Sequence, residues 1–188
     1  MKIFKILIFV ILFPLNIQAW DLDRVGYIEA RTWNELLEGF TTNEIYVNAG
    51  SHRETSNVSL NFDMGLGRFS LTYVFSGTDA SEVNGLDNLR NYLDKSTSWV
   101  EIAKKNSAET QKEIGSDCGT YEVSCVATFF SSNGAKQTDF ILEIKERETF
   151  TLNEGSFYIE ADEVVKLKRL LSKDHLNKIL EESSEKNM

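Results

Sequence analysis

Proline occurs once, at Pro14, so a proline-rich linker is excluded, and turns in the rest of the chain rest on Gly, Asn, Asp and Ser. Prolyl isomerisation is then no slow step in folding a chain cut after the leader described below. Basic charge is in deficit: 20 Lys plus Arg stand against 29 Asp plus Glu, a formal charge of −9. A nucleic-acid binder needs a basic face to meet the phosphates, and this balance does not supply one. Composition also excludes a collagen and a repeat solenoid, and a 41% hydrophobic, 11% aromatic chain is far from the signature of disorder. Histidine is scarce, with only His52 and His175.

Long apolar runs are missing after the first residues. Met1 to Ala19 read MKIFKILIFVILFPLNIQA, with two early lysines and an apolar run from Ile6 to Phe13 closed by Pro14. This is the pattern of a cleavable secretory signal, with the cut expected between Ala19 and Trp20. About ten apolar residues span roughly 15 Å as a helix, half of a bilayer core of about 30 Å, so no stable membrane insertion of the mature chain is expected. The expected location is the periplasm or the medium. Removing the leader takes away Lys2, Lys5 and no acid, leaving 18 basic against 29 acidic groups and a formal charge of −11. Residues 20–188 read as a single domain without an interdomain linker, and EESSEKNM, from about residue 181, has no apolar face and is expected to fray.

Cys118 and Cys125 are the only cysteines. An even count in an exported chain predicts one disulfide, and the spacing is neither CxxC nor, without neighbouring histidines, a zinc site.

Periodicity gives a mixed fold. Trp33, Leu36, Leu37 and Phe40 recur at helical spacing, with Thr32 as N-cap and Gly39 near the end, which predicts a short helix. Ile45 to Val47 is a brief β run ended by NAGS. Val58, Leu60, Phe62 and Met64 alternate with polar residues, as do Phe69, Leu71, Tyr73 and Phe75, and GLGR between them predicts a hairpin. The segment from Gly85 to Glu109 is the strongest helix, with Leu86, Leu89, Leu93, Val100 and Ala103 as its stripe and Ser96 at a close crossing. Strands are expected through Tyr121 to Phe129, Phe140 to Ile144, Phe150 to Leu152 and Phe157 to Ile159, followed by an amphipathic helix carrying Val164, Leu167, Leu170 and Leu171, which HLNKIL extends. The expected fold is α+β: an antiparallel sheet of about five or six strands with helices packed mainly on one face.

Motifs of chemistry are refused one after another. Asp21, Asp23 and Gly26 begin like a calcium loop, but Val25 and Thr32 stand where ligands are needed. Gly65 and Gly67 lie between strands and lack the helix that would hold a phosphate. His52 beside Ser51 is no support for a triad, whose members meet through the fold. His175 near a helix C-terminus reads as complementing the dipole. Glu146 and Glu148 continue the phase of Phe140, Leu142 and Ile144, so a straight strand would aim both coreward as a carboxylate pair; a strand outrunning its sheet would leave them in water. Asn57-Val58-Ser59 fits a glycosylation sequon just before a strand.

No catalytic, metal or cofactor-binding residue is assigned. The reading that remains is an exported, non-enzymatic acidic module recognising a protein partner, a basic one by charge, as inhibitors and immunity proteins do, through a sheet face, an edge or the loops around His52 and Asp79. Its alternatives are a small hydrolase using carboxylates or His52, and a carrier of an apolar ligand between the sheet and the helix of Trp99. Trp33 and Trp99, at helical spacing, are expected in the core.

Overall fold

The computed structural model describes residues 23–52, 55–63, 68–76, 80–146 and 154–186. Two antiparallel meanders carry most of the chain. The first is β1 (Asp23–Asn34), β2 (Gly39–His52), β3 (Thr55–Asp63) and β4 (Arg68–Ser76), followed by helix α1 (Ala80–Asn106). The second is β5 (Thr110–Gly115), β6 (Val123–Ser132), β7 (Gln137–Glu146) and β8 (Glu154–Glu160), followed by α2 (Ala161–Leu170) and α3 (Lys173–Lys186). They join edge to edge in one sheet of order β4-β3-β2-β1-β8-β7-β6-β5.

Period-two patterning decides which residues are buried. Ile28 and Ala30, Ile45 and Val47, Leu60 and Phe62, Cys125 and Ala127, Phe140 and Leu142, and Phe157 and Ile159 all point into one core, because alternate Cβ atoms share a side of a pleated strand. That core includes Leu86, Leu89 and Leu93 of α1, Val164 and Leu167 of α2, and Leu176 and Leu180 of α3. The hairpin of β3 and β4 is as the alternation predicts, and so are the strands through Phe129 and Ile144. Ser96 is fully buried in the α1 stripe.

Several expectations are corrected. The sheet is single and has eight strands, not five or six. Nor do the helices form a clear layer on one face. Helix α2 leaves the end of β8 and runs beside the first half of β1, where Glu163 accepts the Glu29 N–H at 2.8 Å and Lys166 Nζ lies 4.5 Å from the Tyr27 ring centroid. Helix α1 instead packs on β4, β5, β6 and α2, while α3 packs on β2 and β1.

The helix expected over Trp33 to Phe40 is a β-turn between β1 and β2. Asn34 Oδ1 accepts the backbone N–H groups of Leu36 and Leu37 at 3.0 and 3.1 Å, and Glu38 takes the left-handed conformation at φ 47° before Gly39. An Asx-type cap and a left-handed residue together close a turn that helical φ/ψ cannot continue through. Pairing then runs on both sides of it, Asn34↔Gly39, Trp33↔Phe40 and Thr32↔Thr41 onward. For the same reason NAGS does not end β2: Asn48 to Ser51 are held between β1 and β3.

At the other end of the chain, the segment from Glu181 is helical through Lys186, with Ser183 buried. The strand expected over Phe150 to Leu152 lies outside the described residues.

Candidate functional site

The two meanders meet at β1 and β8 through a single registered pair, Arg31↔Tyr158. Past that pair, toward the β1–β2 turn, the strands stop pairing and a groove of about 800 Å³ opens. Trp33 and Glu35 stand on one side. Ser124, Val126, Glu143, Lys145, Ser156 and Tyr158 line the rest. These are the residues that alternate with the buried set, which is why they meet solvent.

Trp33 and Tyr158 are the aromatic residues of the lining, and Phe40, which is not in it, touches both. Phe40 lies 5.4 Å from Trp33 and 5.1 Å from Tyr158, both contacts edge-to-face at 80°, and the Arg31 guanidinium carbon is 5.4 Å from the Phe40 centroid. Such tilted contacts are the favoured aromatic geometry and fix the rings relative to one another. The cluster is nonetheless wet: Trp33 is 53% exposed, and at the turn Leu36 and Leu37 are 82% and 70% exposed. With Phe40 these make four large apolar side chains that stay exposed at the hairpin end, where a core was expected for Trp33. Trp99 is half-buried, edge-on to Phe129 at 5.7 Å, with the Lys112 ammonium 5.1 Å from its ring.

Carboxylates rim the groove. Lys145 pairs with Glu154 at 3.5 Å across β7 and β8, as their register dictates. Among the described residues, Glu35 and Glu143 have no ion-pair partner, and both are exposed. Below them, Arg31 Nη2 donates to both oxygens of Asp139, at 2.8 and 2.9 Å, and Gln137 Nε2 donates to the same carboxylate at 3.0 Å. Asp139 is spent on structure. The free negative charge sits at the rim.

Cys125, between Ser124 and Val126 of the groove but turned into the core, is joined to Cys118, Cα atoms 5.2 Å apart, as the even count predicts. Both are fully buried. Tyr73 donates its hydroxyl to the Cys118 carbonyl at 2.7 Å, and Asn88 Nδ2 donates to the Asp117 carbonyl at 3.0 Å. Complete burial pushes the Tyr73 phenol far above its ordinary pKa.

The residues singled out by sequence do not converge. His52 closes β2 opposite Thr55, with its side chain outside the described residues, as are Asp79 and Glu148. Glu146 ends β7 opposite Val123, half-buried and in phase with the core at the sheet margin. His175 lies in the first turn of α3, not near a helix C-terminus, and its backbone N–H reaches Ser172 Oγ at 3.4 Å. The dipole-complementing role does not hold, since a helix N-terminus favours negative charge. Asn57 sits within β3, 8% exposed, so the sequon is not presented as an accessible loop. Among the described residues, no three His, Cys, Asp or Glu side chains group so as to hold a metal ion.

Alternation with Phe140, Leu142 and Ile144 puts Glu143 and Lys145 on the solvent face, which is where they are. Tyr158 and Glu35 are not among the residues singled out by sequence. Alternation with Phe157 and Ile159 was the available signal for Tyr158; Glu35 had none, being assigned to a helix.

The chain matches no family model, no curated protein and no solved structure. Among the described residues, no helix is long and apolar enough to cross a membrane.

Proposed function

We propose that the chain is an exported, non-enzymatic binding module, cut between Ala19 and Trp20 and acting in the periplasm or the medium, which recognises a basic protein partner in the manner of an inhibitor or immunity protein. The observation that carries this reading is the apolar end of the β1–β2 hairpin. Trp33, Leu36, Leu37 and Phe40 stay exposed although burying them would stabilise the fold by about 1.5–3 kcal/mol each. A clustered, acid-rimmed apolar patch on a soluble chain is the mark of an interaction surface, and a large aromatic at its centre is the usual anchor.

Charge selects the partner. The chain cut after Ala19, at −11, attracts a basic protein and repels an acidic one, which raises association rates and falls off with salt. The disulfide suits an oxidising compartment.

The test is capture from secreted or periplasmic protein of the source cells, with the wild-type chain and Leu36→Asp/Leu37→Asp as paired baits. The reading expects one basic protein retained by the wild type, released by rising salt and lost on the double variant. Equal retention by both baits would remove the hairpin end from the reading.

A further inference from the structure

The groove beside the hairpin suits one kind of side chain more than any other. We infer that it receives a lysine or arginine side chain of the partner, presented by an extended segment whose neighbouring apolar residue lies against Leu36 and Leu37. This deepens the binding reading above and rests on it.

Three features converge. Trp33 and Tyr158 line the groove, and Phe40, outside the lining, meets each of them edge-to-face at 80°. A cation within about 6 Å of an aromatic face is attracted by the ring quadrupole, and tryptophan is the better of the two. Arg31 already places a guanidinium carbon 5.4 Å from the Phe40 centroid beside these rings. The rim holds Glu35 and Glu143 without an ion-pair partner among the described residues, while Lys145 is engaged by Glu154. An entering cation therefore finds two carboxylates to satisfy and one ammonium already occupied. A cavity of about 800 Å³ is ample for such a side chain together with neighbouring residues of its segment.

Other occupants fit less well. A second copy of this chain would bring Glu35, Glu38 and Glu143 against surfaces of the same sign, which the charge of −11 after the cut worsens. An anionic bilayer is repelled for the same reason.

The experiment uses the exported protein with its disulfide intact and three blocked hexapeptides that alternate leucine with arginine, glutamine or glutamate. Binding is followed by NMR at the Trp33 indole and the Tyr158 ring. The arginine peptide should shift both signals saturably, with the glutamine peptide at least tenfold weaker and the glutamate peptide silent. Glu35→Gln/Glu143→Gln, both at exposed positions, should weaken the arginine peptide about fivefold, since exposed ion pairs are worth about 0.2–1 kcal/mol each. Trp33→Ala should weaken it tenfold or more. The inference is overturned if the glutamine peptide binds equally, if the double glutamine variant binds undiminished, if the shifts fall elsewhere, or if no peptide binds. Broadening at Trp33 that grows with protein concentration alone would give the groove to a second copy and overturn it too. If the peptides fail while capture still depends on Leu36 and Leu37, the cation site falls and the binding module stands; if both fail, both readings fall.

Discussion

Arg31 and Asp139, 108 residues apart in sequence, clamp the two halves of the sheet together across β8. One guanidinium nitrogen donates to both carboxylate oxygens, and the Arg31 Nε lies 3.4 Å from Glu160. The clamp sits beside the single registered pair of β1 and β8. It stands where backbone pairing is thinnest, on the groove's face of the sheet and next to Tyr158.

Removing one partner of a buried ion pair leaves the other uncompensated, and the two partners here differ. Asp139 is 1% exposed, whereas Arg31 keeps contact with water and with Glu160. Arg31→Ala should therefore destabilise by about 3 kcal/mol, with Gln137 as the one remaining donor, and Asp139→Asn should cost clearly less. Urea unfolding of the two variants measures the order, and a reversed order would contradict it.

Glycine in a helix is worth about 1 kcal/mol less than alanine, so Gly85→Ala in α1 would ordinarily stabilise. Here a Cβ at Gly85 would lie 2.3 Å from the Gly119 carbonyl oxygen in the disulfide loop, which is backbone and cannot swing away. The substitution should lower the melting temperature. A rise would show that α1 and the loop are not packed this closely.

Reduction of Cys118–Cys125 frees a loop of seven residues' separation in the unfolded chain, which on the chain-entropy model costs about 2–3 kcal/mol. Cys118→Ser/Cys125→Ser should lower the urea midpoint accordingly with an unchanged slope. An unshifted midpoint would mean that the loop's packing, not the bond, holds it.

Tyr73 gives a pH dependence of definite sign. Its phenol is pushed far above the ordinary value in the folded state by burial, so the unfolded chain loses that proton first. The contribution is complete below about pH 10 and is lost as pH rises above that, by about 1.4 kcal/mol per pH unit for this group. Tyr73→Phe should be less stable at pH 7 by about 1–2 kcal/mol, because the Cys118 carbonyl loses its donor, yet flatter above pH 10. Parallel curves would contradict it.

Much of the sheet is legible in sequence because alternation is a local signal: Val58, Leu60 and Phe62, or Cys125 and Ala127, bury as their period requires. The hairpin end is not. Trp33, Leu36, Leu37 and Phe40 satisfy the helical template of i, i+3, i+4 and i+7, but their clustering is that of a turn left apolar at an exposed surface. What decides the local structure is Asn34 capping Leu36 and Leu37 and the left-handed Glu38, short-range features that hydrophobic spacing does not register. Strands β1 and β5 are missed for a related reason. Four consecutive β5 residues, Thr110 to Glu113, are exposed at the sheet edge, and β1 is read through the misassigned helix. The site inherits the error, since Trp33 is expected in a core.

The most direct measurement is amide hydrogen exchange on the protein with and without its captured partner. Slowed exchange at residues 33–40 and in β8 around Ser156 and Tyr158, and little change elsewhere, is the predicted result. Protection confined to other elements, with 33–40 exchanging as in the free chain, would contradict the account.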